Sequence, residues 1–497
     1  MRDSDAADFA MPIDNRQLEL RQATAAVMGH PASVPVRFRL TDLGNGERMA
    51  KRHGADLRYC HPWGRWFHWD GRRWQSDSTA EVERRAKETI RSIYGEASRL
   101  MDDRERKALV DHARASERDP RLRAMIARTA AETGIPILPE QLDVDRWLLN
   151  VQNGTLNLKT GQLQPHRRED LATKLAPVEY DARAGCENWI GFLYHILNQN
   201  EKLMTFLQRS VGYALTGDTR EQVLFLLHGT GANGKSTLLE VVLAMLGDYA
   251  CQTPTDTLLV KHGDTIPNDV ARLKGARLVA AIETEQGRRL AESLVKQLTG
   301  RDRVAARFMR AEWFEFQPQF KLFLAVNHKP VIHGTDLAIW RRIRLVPFTV
   351  VIPEPEQDKE LPDKLKGELP GILRWAVEGC LAWQREGLGT PDEVRKATES
   401  YRAEMDTMGD FLSECCVIEP GFKVTVKELY RVYAQWCERN GEHPLSQRSF
   451  GMRLTERGLD RVRGAGGQHI WRGVGIDGVT QVTQCTLIPG LFPRAPS

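Results

Sequence analysis

The 497-residue chain has no apolar run approaching the length needed to span a bilayer, and its first residues, Met1-Arg2-Asp3-Ser4-Asp5, do not resemble a secretory leader. A cytoplasmic protein with no membrane partner is therefore expected. Cysteine is sparse. The eight are scattered without a C-x-x-C pair, and the adjacent Cys415 and Cys416 read as packed thiols rather than ligands. A zinc module or a disulfide framework is not expected, and a reducing compartment fits. Internal repeats and low-complexity tracts are lacking too. Charge is nearly balanced, 70 Lys and Arg against 66 Asp and Glu, for a formal net charge of +4. So mild an excess permits nucleic acid as a partner without requiring it, and the placing of the charge has to decide.

What is present is concentrated in one stretch. Val223 to Leu227 reads as a short apolar strand, residues 229–234 as a glycine-rich turn, and Lys235 as the start of a helix. Gly229, Thr230, Gly231, Ala232, Asn233, Gly234, Lys235 and Ser236, followed by Thr237, fit G-x-x-x-x-G-K-[ST]. Gly229 and Gly234 allow backbone conformations that let successive N–H groups point inward at phosphate oxygens. The helix adds the positive end of its dipole. Lys235 is expected to reach the β- and γ-phosphates and the Ser236 hydroxyl to ligate Mg²⁺, so ATP and Mg²⁺ are the expected ligands.

Hydrolysis needs more: a carboxylate near the metal, a group to orient water, and positive charge for the transition state. The run Arg277 to Glu285 is an apolar strand ending in Glu283 and Glu285, which would deliver carboxylates beside the loop, one toward Mg²⁺ and one toward the attacking water. Solvated acids at a strand end are the alternative. A further strand, Lys321 to Val326, ends in Asn327, a residue able to position water but also common at strand ends. Arg341 and Arg342 precede the strand Ile343–Phe348, where an arginine can enter a neighbouring subunit's site as a finger. Four apolar runs (223–227, 278–282, 322–326, 343–348) alternating with helical or loop segments predict an α/β sheet with its ligand at the strand ends.

Around this core the chain divides by composition. Residues 1–50 read as a polar arm with a helix at 17–28. Residues 51–185 read as a mixed α+β domain with Trp-rich hairpins at the Asp70-Gly71, Asn153-Gly154 and Thr160-Gly161 turns. The aromatic cluster of Tyr59, Trp63, Trp66, Phe67, Trp69 and Trp74 fits the core of a small sheet better than a base-stacking surface. Residues 186–220 form a helical connector, 221–350 the ATPase domain and 351–418 a helical lid. Residues 419–476, two helices and a basic hairpin around residues 464–467, have the order of a winged helix, with 477–497 as a tail. On its second helix Arg448, Arg453 and Arg457 either dock DNA or protein or form a solvated face.

The ordered set of residues 229–236, Glu283/Glu285, Lys296-Gln-Leu-Thr-Gly300-Arg-Asp302, Asn327-His-Lys-Pro330 and Trp340-Arg-Arg-Ile343 resembles superfamily 3 helicases. More narrowly, it resembles the helicase portion of phage and plasmid primase–helicases, a group that includes poxvirus-type replication proteins. The resemblance implies an AAA+-like core assembled as a ring, usually a hexamer, that hydrolyses ATP at subunit interfaces and moves 3′–5′ on single-stranded DNA, including fork DNA. It assigns Lys235 and Ser236 to the phosphate loop, Glu283 and Glu285 to the acidic motif, Asn327 to the sensor, and Arg342, with Arg341 in reserve, to the finger. It also makes residues 304–313, with Arg307 and Arg310, a DNA-gripping hairpin. Lys296 and Arg307 are alternatively nucleotide or intersubunit contacts. Glu-Thr-Glu in place of adjacent acids leaves the roles of Glu283 and Glu285 undivided. The 50 leading residues are too few for the polymerising domain of full primase–helicases, so priming is not expected, and a separate primase or origin protein is an expected partner. An origin-binding protein without processive unwinding and a protein-remodelling ATPase are the competing functions.

Overall fold

The computed structural model describes residues 38–260, 268–282, 288–307, 312–332, 337–440, 442, 444–464 and 467–477. The expected helix at 17–28, the tail, Glu283, Glu285 and Arg310 lie outside these residues. Two compact units emerge: residues up to Trp69 with Gln75–Gln141, and Asp70–Trp74 with the chain from Leu142 onward. No described helix is long and apolar enough to cross a membrane.

The first unit packs the helices Asp42–His53, Glu81–Ala97, Asp103–Ser116 and Asp119–Thr129 with an antiparallel hairpin, Leu57–Cys60 and Arg65–Trp69. Its core holds Met49, Leu57, Ile90 and Met125. The expected arm is therefore shorter than 50 residues. Thr41 caps the first helix by accepting from the Gly44 N–H at 3.2 Å, and Met49 is anchored in the core.

The second unit begins before residue 185. The meander Leu148–Val151, Gly154–Asn157 and Gln162–Gln164 forms at the expected turns. Its Leu149, Val151, Leu156 and Leu158 are buried in one cluster with Trp189 and Phe225 of the nucleotide-loop region. An alternating apolar strand identifies a buried face without specifying what covers it, and here the cover includes Trp189 and Phe225.

The centre of this unit is a five-stranded parallel sheet. Its strands, labelled in chain order, are β1 (Leu224–His228), β2 (Ala250–Thr253), β3 (Leu278–Ile282), β4 (Lys321–Val326) and β5 (Ile343–Pro347), arranged β5-β1-β4-β3-β2. Parallel sheets carry helices on both faces, which is why the inner strands read as unbroken apolar runs. Successive residues segregate accordingly. Phe225, Leu227, Phe323 and Ala325 pack with the helices Glu187–Ile196, Glu201–Leu215, α1 (Lys235–Leu246) and Leu369–Glu386. Leu224, Leu226, Leu322 and Leu324 pack on the other face with Val295 and Leu298 of Glu292–Thr299 and with Tyr401 of Asp392–Glu404.

The C-terminal module has three strands, ordered Lys423–Thr425, His469–Arg472, Asp460–Arg463, and the helices Val426–Arg439 and Gln447–Glu456. Its core also takes in Met408, Phe411, Leu412 and Cys415 of the helix Thr407–Cys415, which the sequence placed in the lid. With that helix first, the order is helix, strand, helix, helix, strand, strand.

Candidate functional site

The parallel register puts one end of the sheet to use. Val326 of β4 and Pro347 of β5 both pair with His228 of β1, so Asn327, the glycine-rich loop and the segment after β5 emerge at the same level. Ligands of open parallel sheets sit outside these carboxyl ends. There, residues 231–237 with Ile282, Ala325 and Asn327 line a cavity of about 300 Å³.

Two glycines make the loop possible. A Cβ on Gly229 would stand 2.2 Å from Asn233 Nδ2 and 2.3 Å from the Phe348 carbonyl oxygen. Gly234 has φ +77° and caps α1, and a Cβ there would stand 2.7 Å from Ile196 Cγ2 and 3.0 Å from Phe192 Cε2. Gly231 (φ +117°) and Ala232 (φ +46°) continue the positive-φ run that turns backbone N–H groups inward. The Ile352 N–H donates to the Ala232 carbonyl at 2.7 Å and ties the loop to the chain after β5.

Lys235 is the focus of the site. It is buried, and its ammonium donates to the Gly229 carbonyl at 2.7 Å, to Asn233 Oδ1 at 2.8 Å and to Asn327 Oδ1 at 3.2 Å. Burial lowers its pKa to about 8. Among the described residues its acceptors are all neutral oxygens. Asn233 Nδ2 is buried without a hydrogen-bond partner, a second donor beside the loop. Ser236, exposed, and Thr237, half-buried, line the cavity at the first turn of α1. His228 is shifted toward its neutral form, chiefly by burial and then by the charges of Lys329 and Lys235. Ile282 ends β3 at the cavity wall. The expected acids Glu283 and Glu285, which come next in the chain, lie outside the described residues.

Arg341 and Arg342 stand at the opposite edge of the sheet. Ile343 pairs with Leu224, the first residue of β1, and the Leu224 N–H donates to the Arg342 carbonyl at 2.7 Å. The length of a five-residue strand, roughly 15 Å, separates them from the loop in the same subunit. Arg342, the expected finger, is buried, and its guanidinium donates to Thr299 Oγ1 at 3.2 Å and to the Ala338 carbonyl. Both of these acceptors belong to the same chain. Arg341 is exposed.

The other basic residues are scattered. Val304–Ala306 and Phe314–Phe316 pair antiparallel, and Arg307 lies 4.9 Å from the centroid of the Trp313 ring, which is 56% exposed. Lys296 is half-buried on Glu292–Thr299. In the C-terminal module Arg448 is exposed and Arg453 half-buried, while Arg457 is ion-paired to Asp406. Sequence reasoning missed the bracing beyond Asn327. Lys329 pairs with Glu404 at 2.7 Å, and the Tyr401 hydroxyl donates to the Pro330 carbonyl. It also gave Asn233 to the loop backbone without seeing its side chain as an acceptor for Lys235.

Comparison with known proteins agrees with this layout. Residues 46–198 match the family described as D5 N terminal like, and residues 403–458 match the family described as poxvirus D5 protein-like. The chain therefore carries two segments of D5 type, one before and one after the strands of the parallel sheet in sequence. Residues 227–342, from the end of β1 to the residue before β5, match a family of unknown function, DUF5906. Among relatives of this D5-like chain, the provisionally named helicase L207/L206 of Acanthamoeba polyphaga mimivirus is 25% identical over 419 residues, covering 76% of this chain and 43% of that protein. The provisionally named helicase 022R of Frog virus 3 is 27% identical over 273 residues, 51% of this chain and 28% of the relative. The provisionally named primase C962R of African swine fever virus is 24% identical over 330 residues, 61% and 34% respectively. The chain thus spans less than half the length of these relatives. A solved structure of the NrS-1 C-terminal region superposes with TM-score 0.46 at 10% identity, covering 84% of this chain and 96% of that one.

Proposed function

We propose that this chain is an ATP-driven DNA helicase of superfamily 3 that works as a hexameric ring on single-stranded DNA in the 3′–5′ direction. The observation that carries the reading is the Lys235 ammonium, buried at the cavity wall and shared between the loop and Asn327. The positive-φ cradle and the orphaned Asn233 amide fit a polyphosphate. Lys235 would exchange its present acceptors for β- and γ-phosphate oxygens, and the Ser236 hydroxyl with Glu283 would hold Mg²⁺. Magnesium, when bound, neutralises developing phosphate charge. Asn327 would orient the attacking water, and Glu285 would polarise it.

Because Arg341 lies a strand's length from its own loop, it acts in this scheme on the next subunit's nucleotide. That makes the ring a requirement of turnover rather than a convenience. The half-buried Arg307 with the exposed Trp313 suits phosphate and base contacts on the translocating strand, and Arg448 suits docking by the C-terminal module.

The deciding experiment is steady-state ATP hydrolysis with and without single-stranded DNA. Wild type should be stimulated by DNA, and Lys235→Ala and Arg341→Ala should each be nearly inactive. Mixing the two variants should restore part of the rate, since some interfaces regain both groups. Hydrolysis indifferent to DNA would reject the helicase reading in favour of a remodelling ATPase.

A further inference from the structure

The first unit contains a cavity that the nucleotide site does not use. It has a volume of about 410 Å³ and lies between the Leu57–Cys60/Arg65–Trp69 hairpin and the helix Asp119–Thr129. That volume is within the range of small-molecule pockets. Tyr59 and Trp66 are cross-strand partners in the hairpin, so their rings share one face, 4.9 Å apart and inclined at 51°. His61 adds a third ring, edge-on to Tyr59 at 4.6 Å, with its Nε2 3.2 Å from the Ala130 carbonyl. Ile126 and Ala127 of the helix form the facing aliphatic wall.

The core of this unit is already filled. Met49, Leu57, Ile90 and Met125 are buried, whereas Tyr59 and Trp66 are only half-buried and His61 is exposed. Two aromatic rings facing an aliphatic wall across an open slot match a flat ring system of the size of a nucleobase. The helix also places one cation, Arg123, in the cavity lining. Arg123 precedes Ile126 and Ala127 by three and four residues, so all three share a helix face. Its side chain is 79% exposed and paired with an equally open Asp119 at 3.0 Å. An exposed pair of this kind holds its arginine weakly and yields it readily to a phosphate.

We propose that this cavity receives an unpaired base of single-stranded nucleic acid, stacked on Tyr59 and Trp66 against Ile126 and Ala127, with the adjoining phosphate beside Arg123. The first unit would then grip the strand independently of the ATPase. The proposal rests on the geometry of that unit alone and not on the helicase reading.

The test uses the full chain without nucleotide. A photoreactive 5-iodouracil oligonucleotide should crosslink to the peptide that contains Tyr59 and Trp66, and Ala127→Phe, which fills the slot from an exposed helix position, should abolish that adduct. By fluorescence anisotropy, Ala127→Phe and Trp66→Ala should weaken binding of a labelled oligothymidylate by about tenfold, the scale of one base–aromatic stack. Arg123→Glu should weaken it as well. An abasic oligonucleotide of equal length should bind wild type and Ala127→Phe alike. Crosslinks confined to other peptides, or unaltered thymidylate binding by a folded Ala127→Phe, would overturn the proposal. Were wild-type ATP hydrolysis indifferent to DNA, the helicase reading would fail while the crosslink and the Ala127→Phe difference stood.

Discussion

The Asn327 side-chain oxygen lies 3.2 Å from the Lys235 ammonium nitrogen, so the residue after β4 and the first residue of α1 share a hydrogen bond across the cavity. In the proposed site both meet the γ-phosphate, and the bond must be exchanged when nucleotide enters. The lysine enters that exchange with its pKa lowered to about 8 by burial.

A pH dependence follows with a definite sign. Phosphate charge favours the ammonium form, so bound Lys235 has the higher pKa and nucleotide binding takes up a proton once the free lysine begins to lose its own. Nucleotide affinity should be flat below about pH 7 and weaken by up to about tenfold per unit above pH ~8. Lys235→Arg, whose guanidinium stays charged, should bind more weakly but without that slope. Titrating a fluorescent ATP analogue across this range checks it, and a flat wild-type profile would remove the lowered pKa from the mechanism.

The two adjacent arginines should separate cleanly. Arg342→Ala removes a buried guanidinium from Thr299 and Ala338 and should cost about 1–3 kcal/mol of stability, seen as a lower melting temperature. Arg341→Ala, at an exposed position, should shift stability by no more than about 0.5 kcal/mol. It should nonetheless reduce hydrolysis by about a thousandfold, as loss of an arginine finger does. The reverse pattern would return the finger to Arg342.

Lys321 offers a stability test away from chemistry. It is fully buried at the start of β4, donating to the Thr216 carbonyl and hydroxyl and lying 4.5 Å from the Tyr213 ring centroid. Burial, then the nearby Arg277 charge, hold its pKa well below the usual lysine value. The folded state therefore releases this proton earlier than the unfolded chain, and stability is fully restored only above the unfolded pKa and declines as the pH falls toward the folded one. Between neutral pH and about pH 10 wild type should gain stability relative to Lys321→Met, by at most about 1.4 kcal/mol per pH unit. Denaturant melts of the two proteins at several pH values measure this, and parallel pH profiles would contradict it.

Much of the candidate site was legible because its residues are adjacent in sequence and their spacing is set by backbone geometry. The helix starts at Lys235, β3 occupies Leu278–Ile282, and Asn327 follows the last residue of β4, all as the pattern predicted. β2 was missed because Ala250-Cys-Gln-Thr253 is an edge strand, paired on one side only and under little pressure to be apolar. Which of Arg341 and Arg342 turns inward depends on the short helix Leu337–Trp340 and on Thr299, 43 positions away. The helix Thr407–Cys415 was assigned to the lid because an amphipathic stripe does not name its partner. Tertiary contacts decided each of these.

Gly234 carries a consequence for how such chains change over time. A glycine at this place is ordinarily credited to phosphate access, but here Phe192 and Ile196 press on the same spot from the opposite side. That packing alone would hold the position as glycine, so its persistence across a lineage would record the seating of a helix as readily as the keeping of a phosphate site.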